Sequence, residues 1–98
     1  MTQKITKIKR KILPILKKND VIKASIFGSF ARNEETQESD VDILVELQKN
    51  KSLLDFIHLK NELEDLLEQK VDLLTYKGIN PKLAKYIYKD EIKIYEKR

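Results

Sequence analysis

Three short runs rich in β-branched and aromatic residues, Val21–Phe27, Val41–Leu47 and Val71–Thr75, set the frame that any fold of this chain has to satisfy. Each has the length of a strand and is bounded by turn-forming or polar residues: Asn19-Asp20 before the first, Gly28-Ser29 after it, Glu34 to Ser39 before the second. The second run is apolar on both faces at Ile43-Leu44-Val45, the pattern of a strand covered on both sides. Helical periods lie between the runs. Ile5, Ile8, Ile12 and Ile15 or Leu16 recur at helical spacing over residues 3–18, with Pro14 expected to kink that helix or end it early. Residues 30–33 read as the start of a short helix. Residues 52–69 give the clearest helix, opened by a Ser52/Asp55 capping box and carrying a broad apolar face of Leu53, Phe56, Ile57, Leu63, Leu66 and Leu67. Residues 76–80 read as a loop, Pro81 suits the first turn of a last helix reaching about Lys89, and residues 92–95 suit a short final strand. This order predicts an α/β (α+β) fold: a single mixed sheet of three to four strands with helices packed on it.

With 98 residues, a single domain over 1–98 with one modest core is expected, and any active site is expected to be shallow or completed by a partner. Hydrophobic residues at 41% against 37% charged exclude a disordered chain. The absence of cysteine removes disulfides, cysteine metal sites and a thiol nucleophile, and fits a cytoplasmic protein. No apolar stretch is long enough to span a membrane, and the N-terminus lacks the apolar run of a signal peptide. The net charge of +4 is uneven: residues 1–18 hold seven basic and no acidic residues, which leaves the remainder at −3. A lysine-rich solvated helix face accounts for that segment, and direct nucleic-acid binding is not expected.

Three features carry chemistry. Gly28-Ser29 ends the first strand, where a glycine lets the backbone turn sharply beside a ligand and a following helix start aims N–H groups at an anion; the Ser29 hydroxyl adds a donor. Asp40-Val41-Asp42 places two carboxylates on one face of a strand, a repulsive pair that suits a hard divalent cation such as Mg²⁺. Asp72 lies inside an apolar strand and calls for a metal, a salt bridge or an exposed strand end. If its strand lies beside the second, the three carboxylates converge and can hold two Mg²⁺ ions.

The segment Gly28-Ser29-Phe30-Ala31-Arg32, followed by Asp40-Val41-Asp42 and by Val71-Asp72, resembles the signature of the DNA polymerase β-type nucleotidyltransferases. In so short a chain it is similar to the minimal (MNT) branch, whose small members include MntA-like antitoxins paired with HEPN-domain ribonuclease toxins. The resemblance implies the polymerase β-type fold and Mg²⁺-dependent transfer of AMP from ATP to a tyrosine of a HEPN toxin, which is thereby silenced. It further implies that Asp40 and Asp42 bind metal, that Asp72 assists and deprotonates the incoming hydroxyl, and that Gly28 and Ser29 hold the triphosphate. Arg32 stands in the same turn and either contacts phosphate or pairs with Glu34, Glu35 or Glu38. Family members often have glycine after this arginine; here Asn33 takes the place, and asparagine tolerates left-handed backbone.

Two other functions fit the same residues: nucleotidyl transfer to a small molecule such as an aminoglycoside, and a non-catalytic antitoxin acting by binding alone. Glu46 is expected to face solvent. His58 has no partner motif, and Tyr76, Tyr86, Tyr88 and Tyr95 are expected to pack at element edges. There is neither a Walker A sequence nor a dinucleotide-binding glycine fingerprint.

Overall fold

The computed structural model describes residues 2–97. Helix α1 spans Gln3–Lys18, capped by the Thr2 side chain, which accepts from the Ile5 N–H. Its Ile5, Ile8, Ile12 and Leu16 are buried, as their spacing predicts. The early end expected at Pro14 does not occur. Pro14 lies on the exposed face, where water can replace the missing donor, and the packing of Ile12 and Leu16 carries the helix past it. Asp20, at φ +57°, then turns the chain into strand β1, Val21–Phe27.

A short helix α2, Gly28–Ala31, follows directly, two residues earlier than expected. Then come β2 (Val41–Leu47), α3 (Leu53–Leu67), β3 (Val71–Thr75), a 3₁₀ turn over Tyr76–Gly78, α4 (Pro81–Asp90) and β4 (Ile92–Glu96). The capping box at α3 is formed: the Asp55 N–H bonds the Ser52 hydroxyl and the Ser52 N–H bonds the Asp55 carboxylate. The four strands form one sheet in the order β3-β2-β1-β4. β1 is antiparallel to both β2 and β4, and β2 is parallel to β3, which makes the sheet mixed, as the sequence predicts.

Side-chain alternation divides the core in two. On one face, α1 and α3 pack Ile5, Ile12, Leu16, Leu59 and Leu63 against Ala24, Ile26, Val41, Ile43, Val45 and Leu73. On the other, α4 lays Ile87 over Phe27 and Leu44, with Leu74, Tyr76 and Ile79 around them. Ile43-Leu44-Val45 is apolar throughout because its alternate residues serve both cores. The apolar face predicted for α3 is only partly right. Leu63 is fully buried, as is Leu59, which the predicted face omits, and Phe56 and Leu67 pack at their margin. Leu53, Ile57 and Leu66 face outward instead. The stripe at 56, 59, 63 and 67 follows the helical period more closely, and α1 meets the helix along it.

A polar triad fastens α4 to the sheet. The fully buried Ser25 hydroxyl lies 2.7 Å from the Tyr76 hydroxyl and 2.6 Å from Glu91 Oε2, and Tyr76 also donates to Glu91 at 2.6 Å. Among the described residues no helix is long and apolar enough to cross a membrane.

Candidate active site

The sheet places the predicted residues at one end. In the β2–β3 ladder Asp42 stands opposite Asp72, and in the β1–β2 ladder it stands opposite Phe27, the residue before Gly28. Neighbouring strands are about 4.8 Å apart, and residues opposite one another share a face, so the two carboxylates are lateral neighbours. Asp40 precedes the first residue of β2 and is exposed. It belongs to the approach to the strand and not to its ladder, yet it is close enough to act electrostatically on Asp42.

Electrostatics single out Asp42. It is half-buried, and its pKa is pushed up to about 6, first by burial and then by the negative charges of Asp72 and Asp40; Arg32 opposes the shift. Asp72 is exposed. Its strand β3 is the edge of the sheet, so the charge is hydrated in the unliganded protein without a salt bridge. None of the three carboxylates has a hydrogen-bond or ion-pair partner among the described residues. Nor does any group of three His, Cys, Asp or Glu side chains among those residues form a ready-made metal cage. The donor set fits a hard cation that takes one or two carboxylates and completes its shell from phosphate and water.

Gly28 is required here for two reasons. Its φ is +74°, in the left-handed region. A Cβ built on it would overlap the Asp42 carboxylate oxygen Oδ2 and come within 2.9 Å of Cγ. The bare Cα therefore makes room for the acid. Ser29 follows in the first turn of α2, half-buried. The expected help from a helix dipole is small, because α2 has four residues and a macrodipole needs length. Individual donors remain: the N–H groups of this turn have no side-chain cap, and the Ser29 hydroxyl stands beside them. Asn33 takes φ +59° and turns the chain after α2, as its tolerance of left-handed backbone predicts.

Arg32 donates to Asp90 at 2.6 Å and to Glu34 at 3.3 Å. Of its two alternatives, pairing is the one formed, and Asp90 is a partner the sequence reading missed. Glu91, in the buried triad, was missed as well. A signal existed: two acids at the end of a helix oppose its dipole and need compensation from elsewhere in the fold. Glu46 is exposed as expected, and His58 lies 3.1 Å from Glu62, one turn along its own helix. Tyr76 packs as expected; burial and the Glu91 carboxylate raise its hydroxyl pKa well above the usual tyrosine value. Tyr86 and Tyr88 are exposed. Two concavities, of about 470 and 640 Å³, are lined by other residues. Asp40 and Asp72 are exposed and Asp42 is half-buried, so the acids form a ledge open to solvent.

Residues 10–98 match the family described as Polymerase beta, Nucleotidyltransferase. A Methanocaldococcus jannaschii protein provisionally named protein adenylyltransferase MJ0435 is 53% identical over 90 residues, which are 92% of this chain and 97% of that protein. A solved structure provisionally described as a minimal nucleotidyltransferase superposes with a TM-score of 0.79 at 30% identity, over 92% of each chain. A chain in the structure of a tri-AMPylated Shewanella oneidensis HEPN toxin in complex with MNT antitoxin shares the fold at a TM-score of 0.72 and 19% identity, over 94% of this chain and 72% of that one. A family match running from α1 to the last residue takes in the Gly28 turn and all three aspartates, and the chain accordingly belongs to the polymerase β-type nucleotidyltransferases and is an enzyme of that class.

Proposed function

We propose that this chain, acting as a single cytoplasmic domain, transfers AMP from ATP to a protein hydroxyl, a tyrosine of a HEPN-type ribonuclease toxin, and so serves as the antitoxin. The observation that carries the reading is the pairing of Asp42 with Asp72 beside a glycine turn whose missing side chain makes room for the acid. The name of the M. jannaschii relative and the AMPylated toxin of the S. oneidensis complex support it.

Asp40, Asp42 and Asp72 are the residues that would hold Mg²⁺, two ions in the fullest arrangement. Bound there, the metal supplies charge neutralisation on the phosphates and on the departing pyrophosphate. Burial, and then the charges of Asp72 and Asp40, raise the Asp42 pKa, and a cation at this place would offset that cost. Ser29 and the uncapped N–H groups of its turn donate to triphosphate oxygens. Asp72, exposed on the edge strand, accepts the proton of the incoming hydroxyl as the oxygen attacks the α-phosphorus and pyrophosphate leaves. Arg32 would reach phosphate only by leaving Asp90 and Glu34. With Asp40 and Asp72 exposed, the site is open to an acceptor that brings its own surface, and this favours a protein over a small molecule.

ATP labelled at the α-phosphate, Mg²⁺ and either a HEPN-domain toxin or an aminoglycoside test the reading. Label is expected on the toxin with the wild-type chain and on neither acceptor with Asp40→Asn/Asp42→Asn. If that double variant still protects cells from the toxin at equal abundance, binding alone neutralises it and the catalytic reading fails.

A further inference from the structure

The larger concavity has no part in the chemistry above. It holds about 640 Å³ at the far end of β2 from the carboxylates, between that strand, the start of α3 and the 3₁₀ turn. From Asp42 to Leu47 the strand covers about 17 Å at roughly 3.3 Å per residue. Its apolar floor is the half-buried Ile22, Leu47 and Phe56. It continues onto a bare ridge, where Leu53 and Leu54 are 73% and 77% exposed and Ile57, one turn along, is also exposed. Lys49, Lys51 and Lys77 stand around the floor against a single acid, Glu46. Lys51 is held by Asp20 at 3.3 Å. Lys49 and Lys77 have no ion-pair partner among the described residues.

We propose that this lysine-rimmed apolar concavity, with the Leu53-Leu54-Ile57 ridge, is the docking site for an acidic, apolar-bearing segment of the protein acceptor. The claim rests on the reading of a protein acceptor and adds where that protein is held. Apolar surface rimmed by polar residues marks protein association sites, and here floor and ridge form one surface wider than a small molecule covers. The rim decides the occupant: an excess of lysines, two of them unpaired, favours carboxylates and repels a basic segment. Val45, Leu47 and Phe56 of the lining belong to the α1/α3 face of the sheet, whereas Asp42 and Asp72 lie on the α4 face with Leu44 and Leu74, so an acceptor anchored here passes around the β3 edge, and its hydroxyl then reaches the acids as an intramolecular event.

Two double variants test this by calorimetric titration with a purified HEPN-domain toxin, at low and high salt: Leu53→Ser/Leu54→Ser and Lys49→Glu/Lys77→Glu. All four side chains are exposed, so folding is expected to survive; circular dichroism checks it. Each variant is expected to bind the toxin about tenfold or more weakly, the lysine pair losing most at low salt. ATP affinity should stay unchanged, as should the rate of transfer at saturating toxin. Wild-type affinity in both folded variants overturns the proposal, as does a wild-type chain that does not bind the toxin at all. A dimer that the leucine variant dissociates while toxin affinity is kept overturns it in favour of a second copy of the chain. RNA binding abolished by the lysine variant, with toxin affinity kept, overturns it in favour of RNA. Binding without transfer in the wild type counts against the adenylylation reading alone and leaves the docking site standing.

Discussion

Asp42 and Gly28 form one unit, because the carboxylate occupies the volume a side chain at 28 would fill. Gly28→Ala adds a Cβ into that oxygen and strains a backbone at φ +74°. The variant is expected to lose roughly 1–3 kcal/mol of stability and to lose metal-dependent ATP binding together with transfer, read by thermal denaturation and by titration. A variant with wild-type nucleotide affinity would show that the acid moves aside freely. Asp42 also sets a pH dependence. Its pKa is about 6 in the folded protein against an ordinary 3.8, so the folded state holds the proton more tightly. Stability is therefore unaffected at a pH below both values, falls as pH rises between them, and carries the full penalty above about 6. The shift corresponds to about 3 kcal/mol at 1.36 kcal/mol per unit, and solvent screening at a half-buried site reduces it to about 1–2 kcal/mol. In metal-free buffer, Asp42→Asn is expected to be more stable than wild type by that amount near neutral pH and equal to it near pH 3. Equal stability at both pH values would show that the acid is not strained.

At the scale of elements, polar contacts fix α4 to the sheet and to the turn that carries the site. The Ser25–Tyr76–Glu91 triad joins β1, the 3₁₀ turn and the α4–β4 junction, while Arg32–Asp90 joins α4 to α2. Ser25→Ala leaves Tyr76 and Glu91 with one partner fewer in a buried place and is expected to cost about 1–3 kcal/mol; a denaturation midpoint equal to wild type would show that water replaces the hydroxyl. The strands were legible because each is a short β-branched run between turn residues, and the parallel neighbourhood of Asp42 and Asp72 followed once Val71–Thr75 lay beside Val41–Leu47. Helix α3 was legible in extent and less so in rotation. Leu53, Ile57 and Leu66 are as apolar as Leu59 and Leu63, and only the presence of α1 decides which stripe is covered. The Arg32–Asp90 pair joins residues far apart in the chain through a contact between two helices, which local periodicity does not encode. Of the candidate site, the residue types and the turn were readable from sequence; that Asp40 lies outside the ladder and that Asp72 is exposed depended on where β2 begins and on β3 being the edge strand.

For the whole molecule, the acids, the bare turn and the open ledge form a site that is electrostatically unfavourable without a cation. Three carboxylates repel at one end of the sheet, the half-buried one among them resists ionisation, and no basic residue among those described pairs with any of them. A folded state carrying such a cost should gain stability from any ligand that binds it and not the unfolded chain. Mg²⁺ with a non-hydrolysable ATP analogue is therefore expected to raise the melting temperature, by several degrees at about 100 times the dissociation constant, where linkage contributes about 2.7 kcal/mol. Chelation should return the protein to its unliganded value. The two acid-to-amide variants separate the causes. Asp42→Asn should start from a higher melting temperature and gain little from the metal–nucleotide pair, because it has lost both the repulsion and the ligand. Asp72→Asn removes only part of the strain on Asp42, so it should start slightly above wild type and lose transfer, with folding spared. A wild-type protein whose melting temperature is unmoved by Mg²⁺ and nucleotide, alone or together, would mean that the acids at this end of the sheet do not form a cation site. The strain on Asp42 would then need another origin, and the open ledge another use.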